Sequence, residues 1–331
     1  MEVAKSDSLG NKRGDFVTNP PKKSLLHEIW KYRFVYTLIL PGLIWYIIFA
    51  YGPLTGLQLA FKTFKSSLGI WGSSWVGILN FKRIFADPFF MASVWKTLQI
   101  SLYSLIFTFP IPVFLALVLN EIKFLRYKKT IQTILTLPHF LSWVIVAGVL
   151  INILRVDGLV NGFLAAIGAD KISFLSVPSL FMPMLFVTST WKESGWGTII
   201  YLAALASIEQ EQYEAAEIDG AGRLQKIFMI SIPSILPVVV IMLILSIGGL
   251  MEGRFDQIFN LRNPAVQKVT ETIDIYIYRI SFEQPTDFSF SMAVSLFRSV
   301  INLILLLIAD RSAKLMGSDG LLPSSRSGES K

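Results

Sequence analysis

Apolar residues along this chain occur in long blocks that polar segments separate. Six such runs follow residue 33, and they occupy residues 34–54, 98–119, 131–154, 180–206, 235–250 and 288–309. A helix rises about 1.5 Å per residue, so about 20 apolar residues cross the hydrocarbon core of a bilayer. The fifth run is shorter than this, and we still count it as a span. The pattern predicts an all-α polytopic membrane protein with six transmembrane helices.

The composition agrees with a membrane protein. Hydrophobic residues make up 53% of the chain and charged residues 16%, whereas soluble domains carry about 25% charge. The mean hydropathy is +0.57, so a water-soluble fold is excluded. The chain has no cysteine, which removes disulfides, cysteine metal sites and thiol nucleophiles together.

The ends of the chain differ from its middle. Residues 1–33 are polar and basic and lead into an apolar run of 21 residues, longer than the roughly 7–15 residues of a cleaved signal core. We therefore expect an uncleaved first helix after a cytoplasmic basic segment, 1–33. The transmembrane domain is expected over 34–310, and a cytoplasmic tail over 311–331, whose Ser-, Gly- and Pro-rich end is expected to be disordered.

The distribution of Lys and Arg predicts the orientation, because basic residues resist translocation. With the N-terminus inside, the inside segments are 1–33, 120–129, 206–234 and 310–331, and the outside segments are 55–93, 155–177 and 252–287. The inside segments carry 17 basic residues and the outside segments 10. We therefore expect a multi-pass protein of the cytoplasmic (inner) membrane with both termini in the cytoplasm. This topology explains the net charge of +7, and no basic face or aromatic platform indicates nucleic-acid binding.

A polar loop, residues 207–237, lies between the fourth and fifth spans. Ser207 followed by Gln210 fits a capping box that opens a short helix, and Gly220 can end that helix in a left-handed conformation. A second helix follows, which Pro233 ends or kinks. The loop is thus predicted to be a protruding cytoplasmic helix-turn-helix, although an acidic solvated connector explains its charges equally well.

The spacing within this loop is specific. Its residues are Glu214-Ala215-Ala216, three residues, Gly220, nine residues, Ile230, one residue, Ile232 and Pro233. In this pattern the chain resembles the permease subunits of binding-protein-dependent ABC importers, and Ile232 stands where leucine is usual. The resemblance implies that this "EAA" loop is a coupling helix that docks on a cytoplasmic ATPase and transmits its motion to the membrane helices.

Three further stretches, 136–143, 191–197 and 256–261, resemble the carbohydrate branch of this family, in particular its polysaccharide and complex-oligosaccharide permeases. The resemblance extends over about residues 32–322. It implies an ATP-driven importer of a sugar, oligosaccharide or polysaccharide. It also implies four kinds of partner: a second homologous permease, two ATPase subunits, an extracytoplasmic solute-binding protein and the carbohydrate itself. The binding protein is expected to dock on the outside loops 55–93 and 252–287.

The chain lacks the Gly-x-x-x-x-Gly-Lys-Ser/Thr loop that cradles phosphates. We therefore expect no cofactor in this chain and ATP bound by the partner subunits. The work of transport would enter through a rigid cytoplasmic helix pair. The residues expected to contact the ATPase are Glu214, Ala215, Ala216, Asp219, Gly220 and Ala221.

Charged residues within spans are costly and usually face a cavity or a partner. Lys192 and Glu193 are candidates for the substrate path, although long side chains near a helix end can also reach the interface. Trp191 and Trp196 flank them as candidate sugar-stacking rings, or as part of an interfacial aromatic belt. Arg298 would line the path or pair with an acid on a partner subunit.

Catalysis and metal binding find little support in the sequence. His27 and His139 offer no paired ligand spacing, and His139, directly after Pro138, is expected to be a hydrogen-bonded kink residue. Asp157 and Asp170 are explained by a solvated outside loop. No catalytic residue and no metal site are predicted.

The outside loop 252–287 leaves two structures open. Ile273, Ile275 and Ile277 alternate as in a short strand, while Ile273, Ile277 and Ile280 fit one face of a helix. For the whole protein, the transport subunit is the leading function. The rival is an autonomous carrier or channel driven by an ion gradient, which would need buried acidic or histidine relays and paired repeats. A membrane-embedded enzyme lacks a catalytic pair.

Overall fold

A computed structural model of the chain describes residues 30–283, 286–317 and 320–321. Most of the predicted segment 1–33, with His27, and most of the tail 311–331 beyond Gly317 lie outside the described residues. The chain divides into two compact units, Met1–Thr55 and Gly56–Lys331. The first unit holds the first apolar run, 34–54, and the second holds the other five runs.

The described residues are mainly helical. The α-helices are α1 (Arg33–Tyr46), α2 (Gly69–Gly72), α3 (Leu79–Ala86), α4 (Pro88–Tyr103), α5 (Pro110–Asn120), α6 (Leu125–Thr136), α7 (Trp143–Leu154), α8 (Leu159–Ala166), α9 (Pro178–Ala206), α10 (Gln210–Ile218), α11 (Arg223–Lys226), α12 (Ile232–Gly248), α13 (Phe255–Leu261), α14 (Gln267–Thr270), α15 (Ile273–Tyr278) and α16 (Phe288–Leu315).

Shorter irregular segments extend or join these helices. The π-helical turns are Ile47–Tyr51, Ser104–Thr108, Ile227–Ser231 and Arg279–Glu283, and the 3-10 segments are Gly52–Phe61, Leu137–Phe140 and Pro264–Val266. Two short strands, β1 (Lys62–Thr63) and β2 (Ser74–Trp75), pair antiparallel, with Lys62 opposite Trp75 and Thr63 opposite Ser74.

Among the described residues, five helical stretches are long and apolar enough to cross a membrane by length and composition. They are Arg33–Phe61, Pro88–Asn120, Trp143–Ala166, Arg223–Gly248 and Phe288–Leu315. The predicted fourth span is also a helix, α9, and its 29 residues exceed the length that a bilayer needs. α9 is less apolar than the five because Lys192, Glu193 and several hydroxyl residues lie in its middle.

The third predicted span is wrong as one continuous helix over 131–154. α6 ends at Thr136, a 3-10 turn containing Pro138 follows, and the backbone is extended at Leu141 and Ser142. Proline disfavours helix in the residue before it, and the Ser142 hydroxyl accepts a hydrogen bond from the Ile145 N–H (3.3 Å) as the N-cap of α7. The apolar stretch therefore begins at Trp143 and continues through α8.

The predicted outside loop 252–287 consists largely of short helices in the part that the structure describes. α13, α14 and α15 occupy it, so the strand alternative is wrong and the helical alternative is confirmed. Ile273 is fully buried, and Ile277 and Ile280 pack against the same apolar cluster. The helical face was readable from the spacing of these isoleucines, because residues three and four apart share one side of a helix.

α9 lies at the centre of the packing of the second unit. Its first half contributes Phe181 and Leu185 to a cluster with α4, α7 and α13, and its second half packs Tyr201 and Leu205 against α5 and α12. Between these halves Gly195 meets α6 closely: a Cβ atom at this position would lie 2.0 Å from the Leu135 carbonyl oxygen. Small residues permit such approaches between membrane helices, and this one brings α9 against the broken third span.

Candidate functional site

A buried charge cluster forms where α9 meets the break between α6 and α7. Lys192 is only 5% exposed, and its Nζ donates to the His139 carbonyl oxygen (2.9 Å) and to Glu193 Oε1 (3.1 Å). Nζ also lies 5.5 Å from the centre of the Trp143 ring. Lys192 therefore does not extend to the interface, and its charge is compensated within the protein, as a buried charge requires.

Glu193 is held from two sides and remains half exposed. Its Oε1 accepts from Lys192, and its Oε2 lies 2.7 Å from His139 Nδ1. The His139 ring stacks on Trp196, with ring centres 4.7 Å apart and planes 5° apart. His139 is thus a hydrogen-bonded residue of the turn after Pro138, as predicted, and it orients the Glu193 carboxylate.

Glu193 borders an open cavity of about 600 Å³, which we call the central cavity. Its wall is formed by α4, the following π-helical turn, α5, α9, α12 and the segment before α13. The polar residues that line it include Ser101, Ser104, Thr108, Glu193, Glu252 and Arg254. The volume falls within the range of about 300–1,000 Å³ that ligand pockets occupy, and the hydroxyl and carboxylate groups suit a hydroxylated ligand.

A second cavity of about 330 Å³ lies beside α13. It is lined by Trp143, Ser189, Glu193, Arg254, Phe255, Asp256 and Gln257. Glu193 and Arg254 line both cavities. These two residues therefore lie at the junction of the two spaces, which makes them the best-placed charged groups to meet a ligand in either.

Arg254 was not singled out by the sequence, in which it is one of several basic residues of an outside loop. It immediately precedes α13 and has φ 54° and ψ 47°, the left-handed region that non-glycine residues rarely adopt. Its Nη1 is buried and has no hydrogen-bond partner among the described residues. Burial lowers the pKa of Arg254 to about 10, against which the charge of Glu193 acts, so the guanidinium stays charged at neutral pH.

The other predicted path residues lie elsewhere. Trp191 is half exposed and lines neither cavity, and Trp196 is stacked on His139. Arg298 forms an ion pair with Asp274 of the same chain and also lies outside both cavities. Of the five predicted path residues, only Glu193 lines the cavities. Lys192 lines neither of them and donates a hydrogen bond to the Glu193 carboxylate.

The predicted helix-turn-helix is present in the loop 207–237. α10 ends at Ile218, Gly220 has φ +80°, and the Ala221 N–H donates to the Ala216 carbonyl oxygen (2.8 Å). The predicted left-handed turn at Gly220 is confirmed. The predicted Ser207–Gln210 capping box is wrong, because Ser207 belongs to the end of α9, where its hydroxyl donates to the Ala204 carbonyl oxygen (2.7 Å), and Glu209 is the N-cap of α10.

Two side-chain contacts join α10 to the residues that follow the Gly220 turn. The Tyr213 hydroxyl lies 2.9 Å from Ser231 Oγ, and Lys226 Nζ lies 3.2 Å from Glu217. Ser231 is buried at the start of α12. α10 is therefore connected through Tyr213 to the helix that lines the central cavity.

The loop also presents an outward surface. Glu214, Ala215, Asp219 and Gly220 are exposed, whereas Ala216 and Ala221 are partly buried. Large apolar side chains are exposed beside them: Ile218, Leu224, Phe228 and Met229. Exposed apolar patches rimmed by polar residues are typical of protein interaction sites, so this geometry can serve contact with another subunit.

The fold and these sites define a multi-pass helical membrane transport protein. The chain belongs to the family of binding-protein-dependent transport system inner membrane components, whose profile matches residues 101–317. It is therefore a permease component of a transport system and not an enzyme. The family membership supports the transport-subunit interpretation and gives no support to an autonomous carrier or channel.

Individual relatives cover nearly the whole chain. The polygalacturonan/rhamnogalacturonan transport system permease protein YteP of Bacillus subtilis (strain 168) is 40% identical over 91% of this chain and 94% of that protein. Protein LplB of the same organism is 41% identical over 87% of this chain and 91% of that protein. A chain of a bacterial alginate ABC transporter, in complex with an alginate pentasaccharide-bound periplasmic protein, superposes with a TM-score of 0.80 at 36% identity, covering 90% of this chain and 99% of that chain.

Proposed function

We propose that the chain is the membrane-spanning subunit of an ATP-driven importer that moves an oligosaccharide or polysaccharide into the cell across the cytoplasmic membrane. The observation that carries this proposal is the near full-length similarity to YteP and to the alginate transporter chain. Both relatives are named for sugar polymers, and the hydroxyl and carboxylate groups among the residues that line the central cavity suit the hydroxyl groups of such a ligand.

The membrane topology that we propose has six spans. α9 is the fourth span, because its buried Lys192 is compensated by Glu193 and the His139 carbonyl, which reduces the cost of placing it in a bilayer. Both termini then lie in the cytoplasm, in agreement with the excess of basic residues in the inside segments. The same parity puts α10 and the Gly220 turn on the cytoplasmic side.

The substrate path in this proposal runs through the central cavity. Glu193, fixed by Lys192 and His139, accepts hydrogen bonds from sugar hydroxyls, and the hydroxyl groups of Ser101, Ser104 and Thr108 provide further contacts. A second homologous permease faces this cavity and completes the path. An extracytoplasmic solute-binding protein delivers the sugar, as the periplasmic partner of the alginate transporter supports.

In this proposal the energy of ATP hydrolysis enters on the cytoplasmic side, through the loop 207–237. Two ATPase subunits bind the ATP and contact the coupling residues Glu214, Ala215, Ala216, Asp219, Gly220 and Ala221. Motion of α10 passes through the Tyr213–Ser231 hydrogen bond to α12, which borders the central cavity. A short helix pair that two sites contact is the kind of element that can couple them.

Uptake of a labelled oligogalacturonide by cells that carry the complete transporter tests this function. We expect uptake to require this chain, to persist when an ionophore collapses the proton gradient while ATP is maintained, and to stop when ATP is depleted. Uptake that stops with the gradient and persists without ATP would support the ion-driven carrier instead. The matched control is a strain that lacks only this chain.

A further inference from the structure

Arg254 lines both cavities, and among the described residues it is compensated only from a distance, by the charge of Glu193 and by the Phe186 ring, whose centre lies 6.0 Å from the guanidinium carbon. Among the described residues no carboxylate lies within ion-pair distance of its guanidinium, and Nη1 is buried without an acceptor. Glu193, which shares both cavities, is already engaged by Lys192 and His139. Charged groups without a direct acceptor are costly to bury, so the unsatisfied Nη1 of this fixed arginine calls for an acceptor from outside the chain.

The backbone that presents Arg254 is strained and held in place. Arg254 is the only described residue other than glycine with a positive φ. The residue before it is fixed in two ways: the Gly253 N–H donates to Asp274 Oδ2 (2.8 Å), and a Cβ atom on Gly253 would lie 2.7 Å from the Thr272 side chain. Strained residues persist only where their surroundings impose them, and they concentrate at functional sites.

Arg298 belongs to this support and not to the path. It pairs with Asp274, the same carboxylate that accepts from Gly253. Arg298 thus pairs with Asp274, and Asp274 accepts from the Gly253 N–H. Gly253 directly precedes Arg254 at the junction of the cavities. Arg298 is a positioning residue, which explains why a charged side chain in a membrane helix lies away from both cavities.

From these contacts we propose that Arg254 is a specificity-determining residue that binds the carboxylate group of an acidic sugar unit at the junction of the two cavities. This inference rests on the proposed function and adds the charge class of the cargo. A guanidinium matches a planar carboxylate with paired N–H donors, which gives both energy and orientation. Glu193 beside it would meet hydroxyl groups of the same or the next sugar unit.

The cavities carry acidic groups as well as Arg254. Lys192 offsets Glu193, and Glu252 and Asp256 line one cavity each without an ion pair to Arg254. These two acids repel an anion that strays from Arg254 and favour its release. Transport requires such moderate binding, because a carried ligand must leave its site as readily as it enters.

The test compares an acidic cargo with its neutral counterpart in the complete transporter. The probes are labelled trigalacturonate and its fully methyl-esterified form, and the measured quantity is the ratio of their initial uptake rates. We expect Arg254→Met to lower trigalacturonate uptake about tenfold or more, the scale of one lost charged hydrogen bond, and to leave ester uptake within about twofold. Arg254→Lys is expected to fall between Arg254→Met and the unchanged protein.

Arg262→Met is the matched control, because Arg262 lies at the other end of α13, pairs with Glu283 and lines neither cavity. It should leave the ratio unchanged. Equal loss of acid and ester uptake in Arg254→Met would overturn the proposal and indicate a purely structural arginine. Unchanged uptake of both probes would overturn the proposal as well. If the unchanged transporter carries neither probe nor any other oligosaccharide, the proposed function itself fails, and this inference fails with it.

Discussion

At the scale of single residues, the Glu193 carboxylate is held by neighbouring side chains and is still exposed to the central cavity. Lys192 is buried and paired, His139 is stacked on Trp196, and both hold a carboxylate that stays accessible from the central cavity. A side chain held by two neighbours loses little conformational entropy when it binds a ligand, because its orientation is already set. Glu193 is thus preorganised for polar contacts.

Removal of Lys192 tests this arrangement through stability. Lys192→Met leaves the His139 carbonyl without its donor and Glu193 with one partner fewer, so we expect it to cost about 1–3 kcal/mol. The double variant Lys192→Met/Glu193→Gln should cost less than the sum of the two single variants, because the unpaired charge is gone. Thermal unfolding of the purified transporter measures all three.

An exposed pair provides the control for this cycle. Arg155 and Asp157 form an exposed ion pair in the predicted outside loop 155–177, and Arg155→Met should change stability by no more than about 1 kcal/mol. Additive effects of Lys192→Met and Glu193→Gln would show that the buried contacts do not act as a unit, and the preorganisation of Glu193 would then have no support.

At the scale of elements, the contact between α9 and the broken third span organises the site. The break after Thr136 turns the His139 carbonyl and imidazole toward α9, and Gly195 permits the close approach that brings Lys192 and Glu193 to them. In an unbroken helix over 131–154 the His139 carbonyl would lie along the helix axis and accept a backbone hydrogen bond, so it would not be available to Lys192. The break is therefore part of the site and not an irregularity of packing.

Gly195→Ala tests the approach of the two helices. The added methyl group would overlap the Leu135 carbonyl, and overpacking of this kind costs about 1–3 kcal/mol or more. We expect a clear drop in the amount of folded protein in the membrane and in its melting temperature. Gly148→Ala is the matched control in α7, where no atom lies within 4 Å of the added Cβ; an equal effect of both changes would contradict the account.

Comparison of pattern and structure shows which elements were predictable. Hydropathy is a local property, so the apolar runs predicted the membrane helices, and the Gly220 turn followed from a residue that tolerates positive φ. Pro138 and Ser142 carried a signal for the break of the third span, which the uninterrupted hydropathy outweighed. Arg254 could not be found in this way, because its meeting with Glu193 depends on how α9 and α13 pack.

The same limit applies to the ion pairs. Arg298 was expected at the path because a charge in a span usually faces a cavity or a partner, and the structure pairs it with Asp274 of an outside loop. Which carboxylate an arginine meets is a tertiary property that spacing along the chain does not encode. The sequence therefore indicated Lys192, Glu193 and Arg298 as charges of the spans, and the fold decided their roles.

At the scale of the whole molecule, the proposed topology separates cargo recognition from energy input. Glu193 and Arg254 mark the junction of the cavities, and the Gly220 turn lies in the loop 207–237. The Tyr213–Ser231 contact joins this loop to α12, which borders the central cavity. The absence of cysteine from the chain makes the topology directly testable, because each introduced thiol is the only one.

Single-cysteine labelling tests the orientation. Ser67→Cys lies in the predicted outside loop 55–93 and Gln212→Cys in the predicted cytoplasmic α10, and both positions are exposed. A membrane-impermeant maleimide should label Ser67→Cys in intact cells and Gln212→Cys only after permeabilisation. The reverse pattern would mean that the termini and the loop 207–237 face outward, and the proposed coupling would be impossible.

The central claim is that ATP-driven motion enters through α10 and the Gly220 turn of the loop 207–237. Ala216→Trp places a bulky ring at a position whose side chain is a single methyl group. Gly220→Pro is incompatible with φ +80°, because proline fixes φ at a negative value. The matched controls are Ala216→Ser, which keeps a small side chain, and Gly220→Asn, since asparagine tolerates the left-handed conformation.

The most direct measurement is oligosaccharide uptake by the complete transporter, divided by the amount of this chain in the membrane. We predict that Ala216→Trp and Gly220→Pro abolish uptake while membrane insertion stays normal, and that Ala216→Ser and Gly220→Asn retain most of it. Normal uptake by both Ala216→Trp and Gly220→Pro would contradict the account.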